Sequence, residues 1–186
     1  MLLFRHPFWF RLMRTRFRRK NPMACAHRGP IWGQQACGDL PLGRCTMAKN
    51  GCEIIAVYNA LRFLGREVPL TTLIRRYQQE GWIMAWGHLG SDPYAAGDYL
   101  IADGISHRTF TDFDSFARGL TEGTVFLLSY WLKDSLFSGA HGITLYRSEE
   151  GLWACNLYNS QQSPRKIHDL SEILTPERFI VGYEIR

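Results

Sequence analysis

The segment that most constrains this chain is Gly51-Cys52-Glu53-Ile54-Ile55-Ala56-Val57-Tyr58-Asn59-Ala60-Leu61, an apolar-periodic run that reads as a buried helix from about Gly51 to Leu64, stopped by Gly65. A helix with so little polar surface has to sit at the centre of whatever packs around it. Its first residue is a cysteine. Unpaired backbone N–H groups and the positive end of the helix dipole favour a thiolate there, lowering a thiol pKa from about 8.5 towards roughly 3.5–7.5.

The rest of the chain divides by periodicity. Residues 24–50 are rich in Gly, Pro and Cys and predict an ordered loop leading into the Cys52 helix. Further helices are predicted over Leu70–Gln79, with Thr71 or Thr72 as cap and Gly81 as stop, over Gly90–Leu100 with Pro93 in the first turn, and over Asp112–Leu120. From Thr124 the signal changes to β, with strands predicted at Val125–Trp131, Ile143–Arg147, Leu152–Leu157 and Phe179–Ile185. Helices first and strands later predict an α+β domain, its N-terminal helical half packed on a C-terminal antiparallel β-sheet.

With 186 residues, 46% of them hydrophobic, the chain can build one compact core, here assigned to residues 23–186. The net charge of +5 misleads, because Arg5, Arg11, Arg14, Arg16, Arg18, Arg19 and Lys20 occur with no acid among the first twenty residues. Those seven leave −2 on the remainder, which excludes a basic nucleic-acid surface. Residues 1–22 read as a basic, disordered tail whose first twenty residues make weak contact with an anionic membrane surface, or as a short pro-segment. Arginines interrupt its apolar stretch, so neither a membrane span nor a clean signal peptide is predicted, and a cytoplasmic setting follows. Five cysteines with no CxxC pair give no support to a zinc site and fit reduced thiols; export would instead allow a Cys37–Cys45 bridge.

Far downstream of Cys52 lie Gly139-Ala140-His141-Gly142-Ile143 and Leu152-Trp153-Ala154-Cys155-Asn156. A cysteine most often packs as a small hydrophobe, and Cys155, inside an alternating strand, is read that way. Cys52 opens a helix after glycine, and His141 begins a strand between glycines that leave an imidazole accessible. Such an imidazole can take a thiol proton. If Glu149-Glu150 forms a two-residue hairpin loop, Ile143 opposes Asn156, and His141 shares its face with Asn156; a three-residue loop puts Asn159 on that face instead.

Together with Pro41-Leu42-Gly43, Thr46-Met47-Ala48-Lys49-Asn50-Gly51-Cys52 and the helix carrying Ala56 and Asn59, this order of Cys, His and Asn resembles the papain-like cysteine peptidases, in particular the bacterial branch that cuts double-glycine leader peptides. The chain departs from the common Gly-Cys-Gly-Pro at Glu53 and Ile54. The resemblance implies a papain-like fold and a thiol hydrolase acting on a peptide or protein substrate without metal or organic cofactor. Cys52 would be the nucleophile, His141 the base and then the acid, and Asn156 the residue fixing the imidazole. An upstream glutamine, Gln35 in preference to Gln34, would join backbone N–H groups at the oxyanion. The same machinery also serves acyl- and peptidyl-transferases, and a catalytically silent binding module is a further reading.

Overall fold

The computed structural model describes residues 29–120, 124–133 and 139–186. The basic segment 1–22, and with it the membrane-surface and pro-segment readings, lies outside the described residues, as does Cys25. Within them the chain is α+β. A small hairpin, β1 (Pro41–Leu42) and β2 (Cys45–Thr46), precedes α1 (Met47–Asn50), α2 (Cys52–Phe63), α3 (Leu70–Glu80) and α4 (Ala95–Ala102). There follow β3 (His107–Phe110), α5 (Phe113–Gly119), β4 (Val125–Trp131), β5 (Ala140–Ser148), β6 (Gly151–Cys155), β7 (Arg165–Ile167) and β8 (Phe179–Ile185). The six strands from β3 onward form one antiparallel sheet in the order β3-β8-β4-β5-β6-β7.

The sheet is covered on both faces. Val125 and Leu127 of β4, with Val181, Tyr183 and Ile185 of β8, pack with Ile54, Ile55, Val57, Leu61, Leu73 and Ile74 of the helical half. The alternate residues Phe126, Leu128 and Tyr130 join Ile143, Leu145, Leu152, Phe116 of α5 and the later turns in a second core. This double burial is why β4 reads as a continuous apolar run rather than an alternating one. It also explains α2, which lies against β4 and β5 with every residue from Glu53 to Leu61 buried.

Several elements depart from expectation. Pro93 does not enter a helix: α4 begins at Ala95, and Asp92 to Tyr94 form a turn in which the Asp92 side chain accepts the Tyr94 N–H at 3.0 Å. Strand β3 precedes the main run of strands, so helices and strands are not fully segregated. Its exposed Arg108 and Thr109 give it little apolar signal, and pairing with β8 rather than burial defines it. Helix α3 is not capped by Thr71 or Thr72; Pro69 precedes it, and Gly81 ends it in the left-handed conformation at φ 76°. Asp112 caps α5, its Oδ1 accepting the Ser115 N–H at 2.8 Å.

Candidate active site

Helix α2 delivers Cys52 to the start of β5. Packing this close requires Gly142, because a Cβ there would stand 2.3 Å from Glu53 Oε2 and 2.9 Å from Glu53 Cα. Thr144, two residues along the same face, secures the contact by donating its hydroxyl to Ala56 O at 2.8 Å. Cys52 is thereby held against the strand segment that carries His141, with Sγ 3.9 Å from the carbonyl oxygen of Ala140. The helix terminus does not win electrostatically. Burial pushes the Cys52 thiol up from its ordinary value near 9.0, against the opposing pull of the Gly142, Glu53 and Cys52 backbone N–H groups. Burial likewise pushes the His141 imidazole down. The resting pair is therefore thiol and neutral imidazole, not the lowered-pKa thiolate predicted from helix position.

His141 is 6% exposed and stands edge-on to the ring of Tyr130, its partner across the β4–β5 ladder, at 5.8 Å between centroids. Its Nε2 lies 2.6 Å from the main-chain carbonyl oxygen of Asn156. A carbonyl only accepts, so Nε2 carries the proton and Nδ1 holds the lone pair. Among the described residues Nδ1 has no hydrogen-bond partner, and none joins the imidazole to Cys52.

The β5–β6 turn holds two residues, with Ser148 paired to Gly151 and Thr144 to Cys155, as the shorter-loop register requires. The strand nevertheless ends at Cys155. Asn156 turns away with φ 62°, a left-handed conformation that asparagine tolerates better than most residues. Its N–H donates to Trp32 O at 2.6 Å and its Nδ2 to Gly142 O at 3.3 Å, while Oδ1 is buried without a partner. Asn156 is thus at the imidazole, as expected, but through its carbonyl rather than its side chain. Asn159 is exposed and gives its carbonyl to the Gln35 N–H at 2.9 Å.

The two candidate glutamines are placed differently. Gln35 is exposed, whereas Gln34 is buried, its Nε2 donating to both Ala48 O and Lys49 O at 3.0 Å and its Oε1 left unpaired. Both Gln34 amide protons are taken by the segment leading to Cys52, so Gln34 braces that segment. Asn59 positions the loop before it, pairing its amide with the Ile31 N–H and C=O at 2.7 Å each. The donors facing Sγ are backbone N–H groups.

Glu53 is the residue whose importance sequence reasoning missed; it registered only as a departure from the glycine common at that position. Its carboxyl is 4% exposed and accepts the Ser129 hydroxyl at 3.0 Å from β4. Burial, followed by the proximity of Cys52, holds its pKa well above the ordinary 4.5. Cys155 is fully buried, its thiol pushed up to about 12 by desolvation, in keeping with a core role. Among the described residues no Cys37–Cys45 bridge forms. Among the described residues no group of three or more His, Cys, Asp and Glu side chains is placed to hold a metal, and no helix is long and apolar enough to cross a membrane. No protein-family model matches the chain, and no characterised protein matches it in sequence.

Proposed function

We propose that this protein is a papain-like thiol hydrolase, a cysteine peptidase in type, that cleaves a peptide or amide bond through a Cys52 acyl-enzyme. The observation that carries the reading is the contact between His141 Nε2 and the Asn156 carbonyl. Binding Nε2–H to the Asn156 carbonyl leaves His141 Nδ1 as the basic atom, on the strand segment against which Cys52 is packed. On substrate binding Nδ1 takes the Cys52 proton as Sγ attacks the carbonyl carbon. The imidazolium then protonates the departing amine, and water attacks the thioester with His141 again as base. Backbone N–H groups of Cys52 and Glu53 at the helix start bind the oxyanion.

A neutral resting pair suits this sequence, since the proton moves only when the attack begins. The meeting of three roles at the start of β5, with Ala140 at the thiol, His141 as base and Gly142 admitting the helix, supports the same reading. Free thiols at Cys45, Cys52 and Cys155 suit a reducing compartment, the cytoplasm. The test is incubation with a mixed peptide pool, read by mass spectrometry for new termini. Cleavage by the parent that disappears in both Cys52→Ala and His141→Ala is the expected result; cleavage persisting in Cys52→Ala removes Cys52 as nucleophile. Products joined to an added amine instead of water would assign transfer rather than hydrolysis.

A further inference from the structure

A second thiol–imidazole pair lies outside this site. Cys45, half-buried on β2, has its Sγ 3.4 Å from Nδ1 of the exposed His88. The contact is built by the fold, since the residues are 43 positions apart and the segment carrying His88 is fastened to the hairpin carrying Cys45. Arg44 N–H donates to Trp86 O at 2.8 Å, and Asn50 Nδ2 donates to the carbonyls of Gly87 at 2.6 Å and His88 at 3.0 Å. Backbone meets backbone without side chains between: a Cβ on Gly43 would be 2.2 Å from Trp86 O, and one on Gly87 2.3 Å from Leu42 O. The left-handed φ of Ala85 (44°) and Trp86 (55°) is what this fastening imposes.

We propose that Cys45 and His88 form a modification site at which Cys45 takes up low-molecular-weight disulfides as a mixed disulfide. His88 Nδ1 accepts the thiol proton, and the Cys45 sulfur attacks one sulfur of the incoming disulfide. The new S–S bond forms as the old one breaks. The departing thiolate leaves with the bonding electron pair and takes the proton from the imidazolium, so the incoming disulfide is the oxidant and nothing else is consumed. Solvent access separates Cys45 from Cys37 and Cys155, which are buried in the core. The exposed Arg44, the residue before Cys45, has its guanidinium 5.1 Å from the centre of the Trp86 ring. Glutathione disulfide is the working probe.

Cleavage after Lys and Arg puts each cysteine on its own peptide: Cys25 on 21–28, Cys37 on 29–44, Cys45 on 45–49, Cys52 on 50–62 and Cys155 on 148–165. The full chain is exposed to glutathione disulfide at neutral pH, quenched in acid at intervals, digested and read by mass spectrometry. Peptide 45–49 is expected to gain the glutathionyl group at least about tenfold faster than 29–44 or 148–165, and reduction should remove it. His88→Gln, an exposed position whose carbonyl still meets Asn50, should slow that gain on the order of tenfold while leaving the Cys52 peptide's rate unchanged. Cys45 reacting no faster than Cys37, or reacting in His88→Gln at the parent's rate, overturns the proposal. Because each thiol is read separately and no substrate is added, neither result depends on whether Cys52 is a nucleophile.

Discussion

Gly142→Ala is the most searching perturbation of the candidate site, because it adds one methyl group where the Cys52 helix meets the His141 strand. The new Cβ would lie 2.3 Å from Glu53 Oε2, 2.9 Å from Glu53 Cα and 3.2 Å from Glu53 N. Two of these atoms are main chain, and the third belongs to a buried carboxyl fixed by Ser129. Carbon–carbon contacts settle at about 3.5–4.0 Å, so the first turn of α2 and β5 must part by roughly 1 Å. Overpacking of this kind costs about 1–3 kcal/mol of stability. The displaced residue adjoins Cys52, and a misplacement near 1 Å can lower turnover by about 100-fold. The assay pairs urea denaturation with hydrolysis of a peptide that the parent cleaves. Thr144→Val is the control, since it loses the hydroxyl bond to Ala56 O on the same face and should cost about 1 kcal/mol with little change in turnover. A folded Gly142→Ala protein within about threefold of the parent's rate would refute the claim that this close approach sets the catalytic geometry.

Three further variants separate structure from chemistry. Glu53→Gln keeps an acceptor for Ser129 but cannot ionise. Because the folded carboxyl is held above 4.5, its contribution is fully present below that pH and lost as pH rises, so the Gln variant should be more stable than the parent at pH 7 and not at pH 4; urea denaturation giving the same difference at both pH values would contradict it. Asn156→Gly retains both the φ 62° conformation and the carbonyl that accepts from His141, so it should turn over faster than Asn156→Ala; equal rates would return the orienting role to the amide side chain. Gln34→Ala loses two buried hydrogen bonds and should cost about 1–3 kcal/mol in denaturation, whereas Gln35→Ala, at an exposed position, should stay within about 0.5 kcal/mol. The reverse order would restore Gln35 as the structurally engaged glutamine.

What was legible in the sequence is what depends on local patterning. The α2 helix and the exact span of β4 and β8 follow from periodicity and a glycine stop, and the two-residue turn between β5 and β6 is one of the loop lengths that the short polar segment there left open. What was not legible depends on which chain segment sits opposite. Strand β3 exists because β8 offers it an edge, and Gln34 rather than Gln35 is buried because the loop pinned by Asn59 turns that amide onto Ala48 and Lys49.

Asn156 joins the two cases and shows where register reasoning stops. Counting across a two-residue loop correctly aligns β5 with β6, and the next pair in that count would be Ile143 with Asn156. A register is valid only while both chains stay extended, and Trp32 O takes the Asn156 N–H at 2.6 Å as the strand ends. The turn this produces swings the carbonyl of Asn156, not its amide, to His141 Nε2. A backbone acceptor is open to any residue type. Asparagine at this position is therefore explained by its tolerance of positive φ and by the Nδ2 bond to Gly142 O, which ties the imidazole's support to the glycine that admits the Cys52 helix.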